Sequence, residues 1–284
     1  MSAQILDGLA LSKVVRESLK ERVLSLREKG VIPRLDVLVA AHDPASLSYV
    51  RMKHLWAEKA GMTGQSFPVD ENTTQQELLD KIAELNANPD VHGILLQHPL
   101  PKHLDEQEAL IALGSEKDVD GISPASLGRL VADLPGFRCA TPLGIMKLLE
   151  HYGMELKGKK AVVVGRSVIL GKPAALMLLQ KHATVTIAHS RTVDLPDLCR
   201  EADILVAAVG KAEMIKGDWI KPGAIVIDAG YNKVEGRKWD VGDVEFESAK
   251  EVAAWITPVP GGVGPMTVAS LLSNAVDSAE NILA

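Results

Sequence analysis

The segment KKAVVVGRSVILGKPAALMLLQ, residues 159–180, determines which class of fold this chain can adopt. A short apolar run ends at Gly165, and Gly171-Lys172-Pro173 opens a stretch with helical periodicity. Proline in the first turn of a helix already has the backbone angle that a helix requires. The segment therefore predicts a buried strand, then a loop that contains glycine, and then a helix that begins near Lys172.

A strand–glycine–helix junction is a common binding site for phosphate groups. Backbone N–H groups without partners point out of the helix start, where the helix dipole is positive, and both features suit a pyrophosphate. The glycines here follow the spacing G-x5-G and not G-x-G-x-x-G, so the usual dinucleotide fingerprint is not met. A tight turn that binds no ligand is the alternative interpretation.

The next apolar run, ATVTIAHS at 183–190, bears on which dinucleotide would bind. NAD-binding folds place a carboxylate about 20 residues after the glycines, whereas AHSRT at 188–192 contains none. Ser190 and Arg191 offer a hydroxyl and a guanidinium that can bind a 2′-phosphate, and Arg166 adds a second positive charge. These residues favour NADP over NAD, unless Arg191 is only a solvated loop residue.

Apolar runs of strand length alternate with segments of helical period along the whole chain. Besides 159–165, the strand-like runs are 35–41, 91–97, 183–190, 202–210 and 223–230. The longest helical patterns are at 76–89, at 140–160 as one long helix followed by a Gly/Lys turn, and at the C-terminus. Short buried strands separated by helices indicate βαβ units and parallel sheets. The predicted fold is α/β, with two domains around a cleft.

The domain boundary is expected near residue 140, where a long helix leads into a new strand. The C-terminal segment GPMTVASLLSNAVDSAENILA has an amphipathic pattern and, in this interpretation, packs back onto the first domain. Residues 1–140 and 265–284 then form a βα N-terminal domain. Residues 141–264 form a Rossmann-like parallel-sheet domain that binds NADP.

The composition argues against several classes of protein. The 284 residues are 46% hydrophobic and 24% charged, with a net charge of -6 and no block of Lys and Arg that would bind nucleic acid. No apolar run approaches the roughly 18 residues of a membrane span. The two cysteines, Cys139 and Cys199, form no secreted disulfide framework, and the 8 histidines are scattered. We therefore expect a cytoplasmic protein without a metal site.

Four further motifs contain residues with chemical potential. They are YVRMK at 49–53, GILLQHPLP at 93–101, KDVDG at 117–121 and TPVPGGVGPMT at 257–267. Tyr49 and Lys53 lie one helical turn apart on one face, and Gln97 ends a predicted strand, where parallel sheets present ligands. Taken singly, each motif has an ordinary explanation: a half-buried Tyr beside an extended Lys, a Gln that caps a loop, a turn at Asp120, and a plain connector.

Taken together and in order, the motifs identify a family. From DPAS and YVRMK through KDVDG, HSRT and ADILVAAVGK to ITPVPGGVGPMT, nearly the whole chain resembles the bifunctional methylenetetrahydrofolate dehydrogenase/cyclohydrolases. The resemblance implies NADP-dependent oxidation of 5,10-methylenetetrahydrofolate to 5,10-methenyltetrahydrofolate, then hydrolysis to 10-formyltetrahydrofolate, in one-carbon metabolism. It also implies that the N-terminal domain is the catalytic, folate-binding domain. A homodimer formed through the nucleotide domains is a further implication.

The resemblance assigns roles to individual residues. Lys53 matches the catalytic lysine, Tyr49 the aromatic residue that packs on the folate, Gln97 the hydrogen-bond partner of the lysine, and Asp120 the carboxylate that holds the pterin edge. The implied substrate-binding positions are Tyr49, Val50, Arg51, Met52, Lys53, Leu96, Gln97, His98, Asp120, Pro260, Gly261 and Gly262. The implied nucleotide-binding positions are Gly165, Arg166, Ser167, Ser190, Arg191 and Tyr231.

Hydrolysis of the methenyl group needs a proton acceptor, and Lys53 is the plausible one among these motifs. A lysine acts as a base only if its pKa falls toward neutrality, which partial burial and a nearby substrate cation both favour. Hydride transfer chiefly needs the alignment of two rings and does not strictly require an acid or a base. Gln97 would orient the amine without changing its charge.

Several positions depart from the family pattern, namely His42, His98, Ile122, Ser126, Val168 and Tyr231. His98 stands where leucine is usual, directly beside Gln97. It is either a titrating group next to the lysine or an imidazole that is hydrogen-bonded in a loop. Tyr231 bears on the preference for one dinucleotide over the other.

Two other functions are compatible with the same residues. A dehydrogenase of similar fold would catalyse only the first step, and its lysine would be silent. A catalytically inactive protein that binds a nucleotide or a folate is the other alternative. The intact set of Tyr49, Lys53, Gln97 and Asp120 argues against the inactive protein.

Overall fold

The computed structural model describes residues 2–40 and 44–282, and for residues 44–49 it describes the backbone alone. Over these ranges the strands are β1 Gln4–Ile5, β2 Leu35–Ala40, β3 Ser66–Val69, β4 Gly93–Gln97, β5 Lys160–Val164, β6 Thr184–Ala188, β7 Ile204–Ala207, β8 Ile225–Asp228 and β9 Trp255–Ile256. The α-helices are α1 Gly8–Glu28, α2 Pro44–Lys59, α3 Gln75–Ala87, α4 Glu106–Ala112, α5 Pro124–Val131, α6 Ala140–His151, α7 Gly171–Gln180, α8 Leu195–Arg200, α9 Phe246–Lys250 and α10 Val263–Asn281. A single 3₁₀ turn spans Gly217–Trp219 within the same ranges.

The chain divides into two compact units. The larger-sheet unit comprises Met1–Lys13 and Thr141–Thr267, and the smaller-sheet unit comprises Val14–Ala140 and Val268–Ala284. The sequence had predicted that residues 1–140 belong together. The first residues instead lie with the larger sheet because β1 pairs in parallel with β9, with Gln4 opposite Trp255 and Ile5 opposite Ile256.

The larger-sheet unit is built on a parallel sheet with the strand order β1-β9-β8-β7-β5-β6 among the described residues. All four residues of β7 are buried, as are the last four of β5. A strand that is buried on both faces needs a continuous apolar run rather than an alternating one, and both strands have it. The prediction of parallel strands separated by helices is confirmed.

The smaller-sheet unit contains the parallel strands β3-β2-β4, with β2 in the centre and all six of its residues buried. Its core joins β2 to α1 and to the C-terminal helix. Val23 and Leu26 of α1 and Leu271, Leu272 and Val276 of α10 belong to one buried cluster. The C-terminal helix is therefore part of this core from Val268 onward, although it starts in the other unit.

The segment 140–160 begins with a helix, as its sequence predicts, but the helix is shorter than expected and ends before the Gly/Lys turn. Helix α6 ends at His151, and Gly153 has a φ of +67°, in the left-handed region that glycine enters without strain. The N–H of Met154 donates to the carbonyl of Leu149 at 2.8 Å, which closes the helix end. No described helix has both the length and the hydropathy that a membrane span needs.

Candidate active site

Lys53 is a buried lysine on the inner face of α2. Its neighbours one turn away on that helix, Val50 and Ala57, belong to the core of the smaller-sheet unit and are each 3% exposed. Because residues three and four positions apart share a helix face, Lys53 is carried inward with them. Only 5% of the residue is exposed. Its Nζ donates a hydrogen bond to Oε1 of Gln97 at 2.8 Å.

Burial changes the acid–base character of this amine. Desolvation disfavours the ammonium form and lowers the pKa of Lys53 from 10.5 to about 8, and the charge of Asp120 acts in the opposite direction. Gln97 is a neutral partner and adds no charge of its own. A fraction of Lys53 is therefore uncharged near neutral pH, which is the form that can accept a proton.

Gln97 is held at both ends of its side-chain amide. It is the last residue of β4, at the carboxyl end of a parallel strand, where α/β proteins commonly bind ligands. Its Nε2 donates to the carbonyl oxygen of His98 at 3.1 Å, and its Oε1 accepts from Lys53. The structure thus brings Lys53 and Gln97 together as the sequence indicated.

Asp120 lies in the loop between α4 and α5. Burial raises the pKa of its carboxyl group, the charges of Lys53 and His98 lower it, and Asp118 raises it. The carbonyl of Asp120 accepts from the N–H of Ala140 at 3.2 Å, which fixes the backbone at this position. Asp120 and Lys53 each act on the charge of the other, so they form one electrostatic group.

His98 occupies the position immediately after Gln97 and is paired with a carboxylate. Its Nδ1 lies 2.8 Å from Oε1 of Glu106, and its side chain is 18% exposed. Its Nε2 is buried and has no hydrogen-bond partner among the described residues. The sequence left two possibilities for His98, and the structure shows a loop imidazole whose charge also reaches Asp120.

The structure gives the burial of several residues that the resemblance assigned to substrate binding. The side chains of Tyr49 and His42 lie outside the described residues, although the backbone of Tyr49 belongs to α2. Val50 and Leu96 point into hydrophobic cores, with 3% and 1% exposure, so they can meet a ligand only through their backbone. Arg51 is exposed and Met52 is partly buried against the core.

The glycines of the larger-sheet unit form a backbone cradle at the start of α7. A Cβ on Gly165, whose φ is +140°, would lie 2.1 Å from the carbonyl oxygen of Ala208. A Cβ on Gly171 would lie 2.3 Å from the carbonyl oxygen of Gly165. Ser167 Oγ accepts from the N–H of Gly171 at 3.2 Å. This close approach of strand end and helix start fits the pyrophosphate of a dinucleotide.

The residues expected to select the nucleotide stand at the neighbouring strand end. Arg166, Ser190 and Arg191 are exposed, and neither arginine has an ion-pair partner among the described residues. The turn after β6 is fixed, since the N–H of His189 donates to Thr192 Oγ1 at 2.9 Å. Two unpaired guanidinium groups suit a 2′-phosphate, so the chain's own residues fit NADP.

Tyr231 and the glycine–proline loop also lie in the larger-sheet unit. Tyr231 is 65% exposed, and its hydroxyl hydrogen-bonds Asp240, which raises the pKa of the phenol. In the segment Pro260–Gly262, Gly261 has a φ of +111°, and its carbonyl accepts from the N–H of Leu9 at 2.8 Å. Pro260, Gly261 and Gly262, which the resemblance assigns to substrate binding, belong to this unit.

Sequence reasoning missed several residues that organise these sites. Asp228 and Asp243 are buried carboxylates of the larger-sheet unit that accept backbone N–H groups, and burial raises the pKa of Asp228 to about 6. In the smaller-sheet unit, Asn274 donates to the carbonyls of Val119 and Arg138 at 2.8 and 3.1 Å. A polar residue inside an apolar pattern was the available signal for Asp228 and Asn274, whereas Asp243 stands among other acidic residues and gave no such signal.

Cys139 and Cys199 are both buried free thiols, and burial raises the pKa of each, that of Cys199 to about 11. Among the described residues, no three His, Cys, Asp or Glu side chains are grouped as metal ligands.

Comparison with known proteins covers both units. Residues 6–120 match the model for the catalytic domain of tetrahydrofolate dehydrogenase/cyclohydrolase, and residues 139–283 match the model for its NAD(P)-binding domain. The bifunctional protein FolD of Moorella thermoacetica is 56% identical to this chain, over 98% of this chain and 99% of the relative.

Solved structures agree with this assignment. The bifunctional FolD methylenetetrahydrofolate dehydrogenase/cyclohydrolase of Campylobacter jejuni is 45% identical and superposes with a TM-score of 0.97, covering 99% of this chain and 100% of the other. The FolD enzyme of Trypanosoma brucei, which was solved with NADP and an inhibitor, is 38% identical with a TM-score of 0.94, covering 100% and 99%. The chain therefore belongs to the tetrahydrofolate dehydrogenase/cyclohydrolase family.

Proposed function

We propose that this chain catalyses two consecutive reactions on tetrahydrofolate derivatives. The first is the oxidation of 5,10-methylenetetrahydrofolate to 5,10-methenyltetrahydrofolate with NADP, and the second is the hydrolysis of that product to 10-formyltetrahydrofolate. Membership of the dehydrogenase/cyclohydrolase family over both units supports this assignment. When bound, NADP accepts a hydride from the methylene carbon of the substrate.

One observation carries the hydrolytic half of the proposal: a buried lysine with a pKa of about 8, held by a neutral amide. In the second reaction, water attacks the methenyl carbon and loses a proton, which Lys53 Nζ accepts. With a pKa of 8, about one lysine in ten is uncharged at pH 7, and general-base catalysis typically contributes about 10²- to 10⁴-fold. Gln97 keeps the amine in place during this transfer.

Asp120 and Tyr49 are the main substrate-binding residues in this proposal. Asp120 accepts hydrogen bonds from the donor edge of the pterin, and Tyr49 provides an aromatic surface for its rings. The remaining substrate-binding residues in this proposal are Val50, Arg51, Met52, Leu96, His98, Pro260, Gly261 and Gly262. Burial lowers the pKa of Lys53, so this amine loses its proton more readily than an ordinary lysine when a cationic methenyl group lies nearby.

NADP is held by the larger-sheet unit. Gly165, Ser167 and the start of α7 bind the pyrophosphate. The absence of a side chain at Gly165 lets the phosphate groups come close to the backbone at the helix start. Arg166, Ser190 and Arg191 bind the 2′-phosphate, and Tyr231 borders the dinucleotide. The absence of a carboxylate from AHSRT supports the preference for NADP over NAD.

The active form in this proposal is a homodimer in the cytoplasm. Among the described residues, strand β6 is an edge strand that pairs only with β5. Ile187 of β6 is 41% exposed, and Leu179 of the neighbouring helix α7 is 56% exposed. An open edge with apolar side chains favours pairing with a second copy. Two buried free thiols support a reducing compartment.

Absorbance assays on the purified protein test the two reactions separately. With 5,10-methylenetetrahydrofolate, we expect reduction of NADP in preference to NAD, and with 5,10-methenyltetrahydrofolate alone we expect hydrolysis. If NADP is reduced but methenyltetrahydrofolate is not hydrolysed, the protein is a dehydrogenase only. Binding of NADP without any turnover would identify an inactive binding protein. A molar mass measured in solution tests the dimer.

A further inference from the structure

The buried face of the C-terminal helix α10 carries two polar side chains that bind the segment leading to Asp120. Nδ2 of Asn274 donates to the carbonyl oxygen of Val119 at 2.8 Å, and Oγ of Ser278 donates to the carbonyl oxygen of Glu116 at 3.1 Å. Both side chains belong to buried residues. Because residues four positions apart share a helix face, the two side chains point to the same segment, residues 116–119.

Asn274 binds a second segment with the same amide group. Its Nδ2 also donates to the carbonyl oxygen of Arg138 at 3.1 Å. A carbonyl oxygen can only accept a hydrogen bond, so the NH₂ end of the amide must face both carbonyls, with one N–H for each. One buried side chain therefore joins the segment before Asp120 to the segment before Ala140.

These contacts fix the peptide group that precedes Asp120. The carbonyl of Val119 and the N–H of Asp120 belong to one planar peptide, so a hydrogen bond to that carbonyl fixes the plane from which Asp120 begins. On the other side of the residue, the carbonyl of Asp120 accepts from the N–H of Ala140 at 3.2 Å. The backbone of Asp120 is thus held between two segments, and the amide of Asn274 contacts both of them.

The two segments are also in close contact just after Asp120. Gly121 has a φ of +67°, and a Cβ at this position would lie 2.5 Å from the carbonyl carbon of Arg138. Sγ of Cys139 donates to the carbonyl oxygen of Gly121 at 2.9 Å. Because these contacts remain when Asn274 is changed, loss of its amide should turn the peptide before Asp120 rather than separate the segments.

The direction of the Asp120 side chain matters because a hydrogen bond weakens steeply when its angle departs from linear. In the proposed function the carboxylate of Asp120 accepts hydrogen bonds from the donor edge of the pterin. Rotation of the preceding peptide carries the Cα–Cβ bond of Asp120 with it, so the carboxylate oxygens move relative to the substrate. The folate then binds more weakly, although every group that contacts it is still present.

We propose that Asn274 is a positioning residue for folate binding, which holds the peptide before Asp120 against the segment before Ala140 and so directs the Asp120 carboxylate toward the substrate. The inference rests on the proposed function, in which Asp120 binds the folate. It gives the C-terminal helix α10 a part in the site, although the resemblance assigned none of its residues to substrate binding.

The first test compares Asn274→Ala with Ser278→Ala, a matched change one turn along the same helix face. Loss of a hydrogen bond corresponds to about a three- to tenfold change in an equilibrium constant. We expect Asn274→Ala to raise KM for methylenetetrahydrofolate and for methenyltetrahydrofolate by that factor, with KM for NADP within about twofold of that of the parent. Ser278→Ala also loses a buried donor, but its partner Glu116 is four positions from Asp120, so it should keep all three KM values.

This comparison separates positioning from stability. A destabilised variant contains less folded enzyme, which lowers both rates and leaves every KM unchanged. Asn274→Ser keeps a donor on this helix face, so its KM values should lie between those of Asn274→Ala and the parent. It takes the place of the alanine variant in both tests if circular dichroism shows that Asn274→Ala does not fold.

The second test asks whether Asn274 acts through Asp120. In an Asp120→Ala background there is no carboxylate to direct, so adding Asn274→Ala should raise KM for the folates no further. Independent, multiplying increases would overturn the proposal. An unchanged folate KM in Asn274→Ala, or an equal rise in the KM for NADP, would overturn it as well.

The two levels of inference fail differently. If the parent protein catalyses neither reaction, or if Asp120→Ala keeps the folate KM of the parent, the proposed function or the role of Asp120 in it is wrong, and the role of Asn274 falls with it. If Asp120→Ala raises the folate KM and Asn274→Ala matches Ser278→Ala, only the role of Asn274 is wrong.

Discussion

Asp118 and Asp120 stand two positions apart in one loop, and their carboxylates have different hydrogen-bond environments. Asp118 is fully buried and accepts the N–H groups of Gly121, Ile122 and Ser123, at 3.0, 3.3 and 2.7 Å. The carboxylate of Asp120 is governed instead by burial, by the charges of Lys53, Asp118 and His98, and by the single backbone N–H of Ala140. The first aspartate therefore fixes the loop, and the second is coupled electrostatically to Lys53.

Asp120 also sets the acid–base behaviour of the base, so Asp120→Asn should move the pH profile of hydrolysis. In the parent protein, activity should rise with pH through about 8, the pKa of Lys53. The charge of Asp120 raises that pKa, so its removal should shift the midpoint to lower pH and raise KM for the folate. The measurement is kcat/KM for methenyltetrahydrofolate as a function of pH. An unchanged midpoint would mean that Asp120 is uncharged in the free enzyme.

The matched change Asp118→Asn should act on stability instead. Two oxygens that accept three N–H groups would be reduced to one, and an NH₂ group would face a backbone donor. We expect a lower midpoint of chemical denaturation, measured with urea, and a midpoint equal to that of the parent would contradict this role.

Lys53→Met should separate the two activities. Methionine has a similar length and no proton-accepting group, so hydrolysis should fall at least about 100-fold, which is the lower range for loss of a general base. Hydride transfer depends on alignment of the two reacting rings and should change no more than about threefold. Both rates are measured on the same preparation. An equal loss of the two would show that Lys53 holds the substrate rather than serving as the base.

The same variant should be more stable than the parent at neutral pH. The pKa of lysine is 10.5 in the unfolded chain and about 8 at position 53, so the unfolded chain binds an extra proton between these values. Stability of the parent therefore rises with pH through this window, and burial of the charged amine at pH 7 costs roughly 3 kcal/mol. Loss of the hydrogen bond to Gln97 offsets about 1 kcal/mol of the gain.

Urea denaturation at two pH values measures this effect. We expect Lys53→Met to gain about 1–2 kcal/mol at pH 7, and the gain to shrink as the pH approaches 10. A variant that is less stable than the parent at pH 7 would indicate that the buried amine is well compensated and keeps its ordinary pKa.

Arg191→Ala tests the discrimination between dinucleotides. A charge-assisted bond to a phosphate contributes about 1.5–3 kcal/mol, which corresponds to a KM for NADP that is roughly 10- to 100-fold higher. The KM for NAD should stay within about twofold, since NAD has no 2′-phosphate. Arg200→Ala is the control, because that exposed arginine pairs with Asp197. A parallel rise for both dinucleotides would place Arg191 at the pyrophosphate instead.

The sequence predicted the sheets better than it predicted their edges. The runs at 159–165 and 202–210 form the buried strands β5 and β7, because apolar residues of strand length are a local signal. Strand β1 has two residues and depends on β9, some 250 positions away, so no local pattern could show it. The helix expected in 140–160 ends early because Gly153 adopts a positive φ, which terminates the helix. The spacing of apolar residues does not show this.

The site was predictable to the extent that its residues occur in motifs. Lys53 and Gln97 were paired from the family resemblance, and they are hydrogen-bonded. The contact of Glu106 with His98 was not predictable, because it joins a strand end to a helix start through tertiary packing alone. The size of the pKa shift of Lys53 depends on how deeply the amine is buried. The sequence pattern indicates which face of the helix points inward but not how completely that face is covered.

Gly165→Ala should disrupt the nucleotide site and the sheet together. The added Cβ would lie 2.1 Å from the carbonyl oxygen of Ala208, and a φ of +140° is one that alanine rarely adopts. Either the end of β5 or the residue after β7 must move, so we expect a loss of about 2–4 kcal/mol in stability and a higher KM for NADP. Gly128→Ala, in α5 with nothing within 4 Å of the new Cβ, should be neutral or stabilising by up to about 1 kcal/mol. Chemical denaturation and NADP titration are measured on both variants. If Gly165→Ala bound NADP as the parent does, the backbone would not approach the dinucleotide closely at this position.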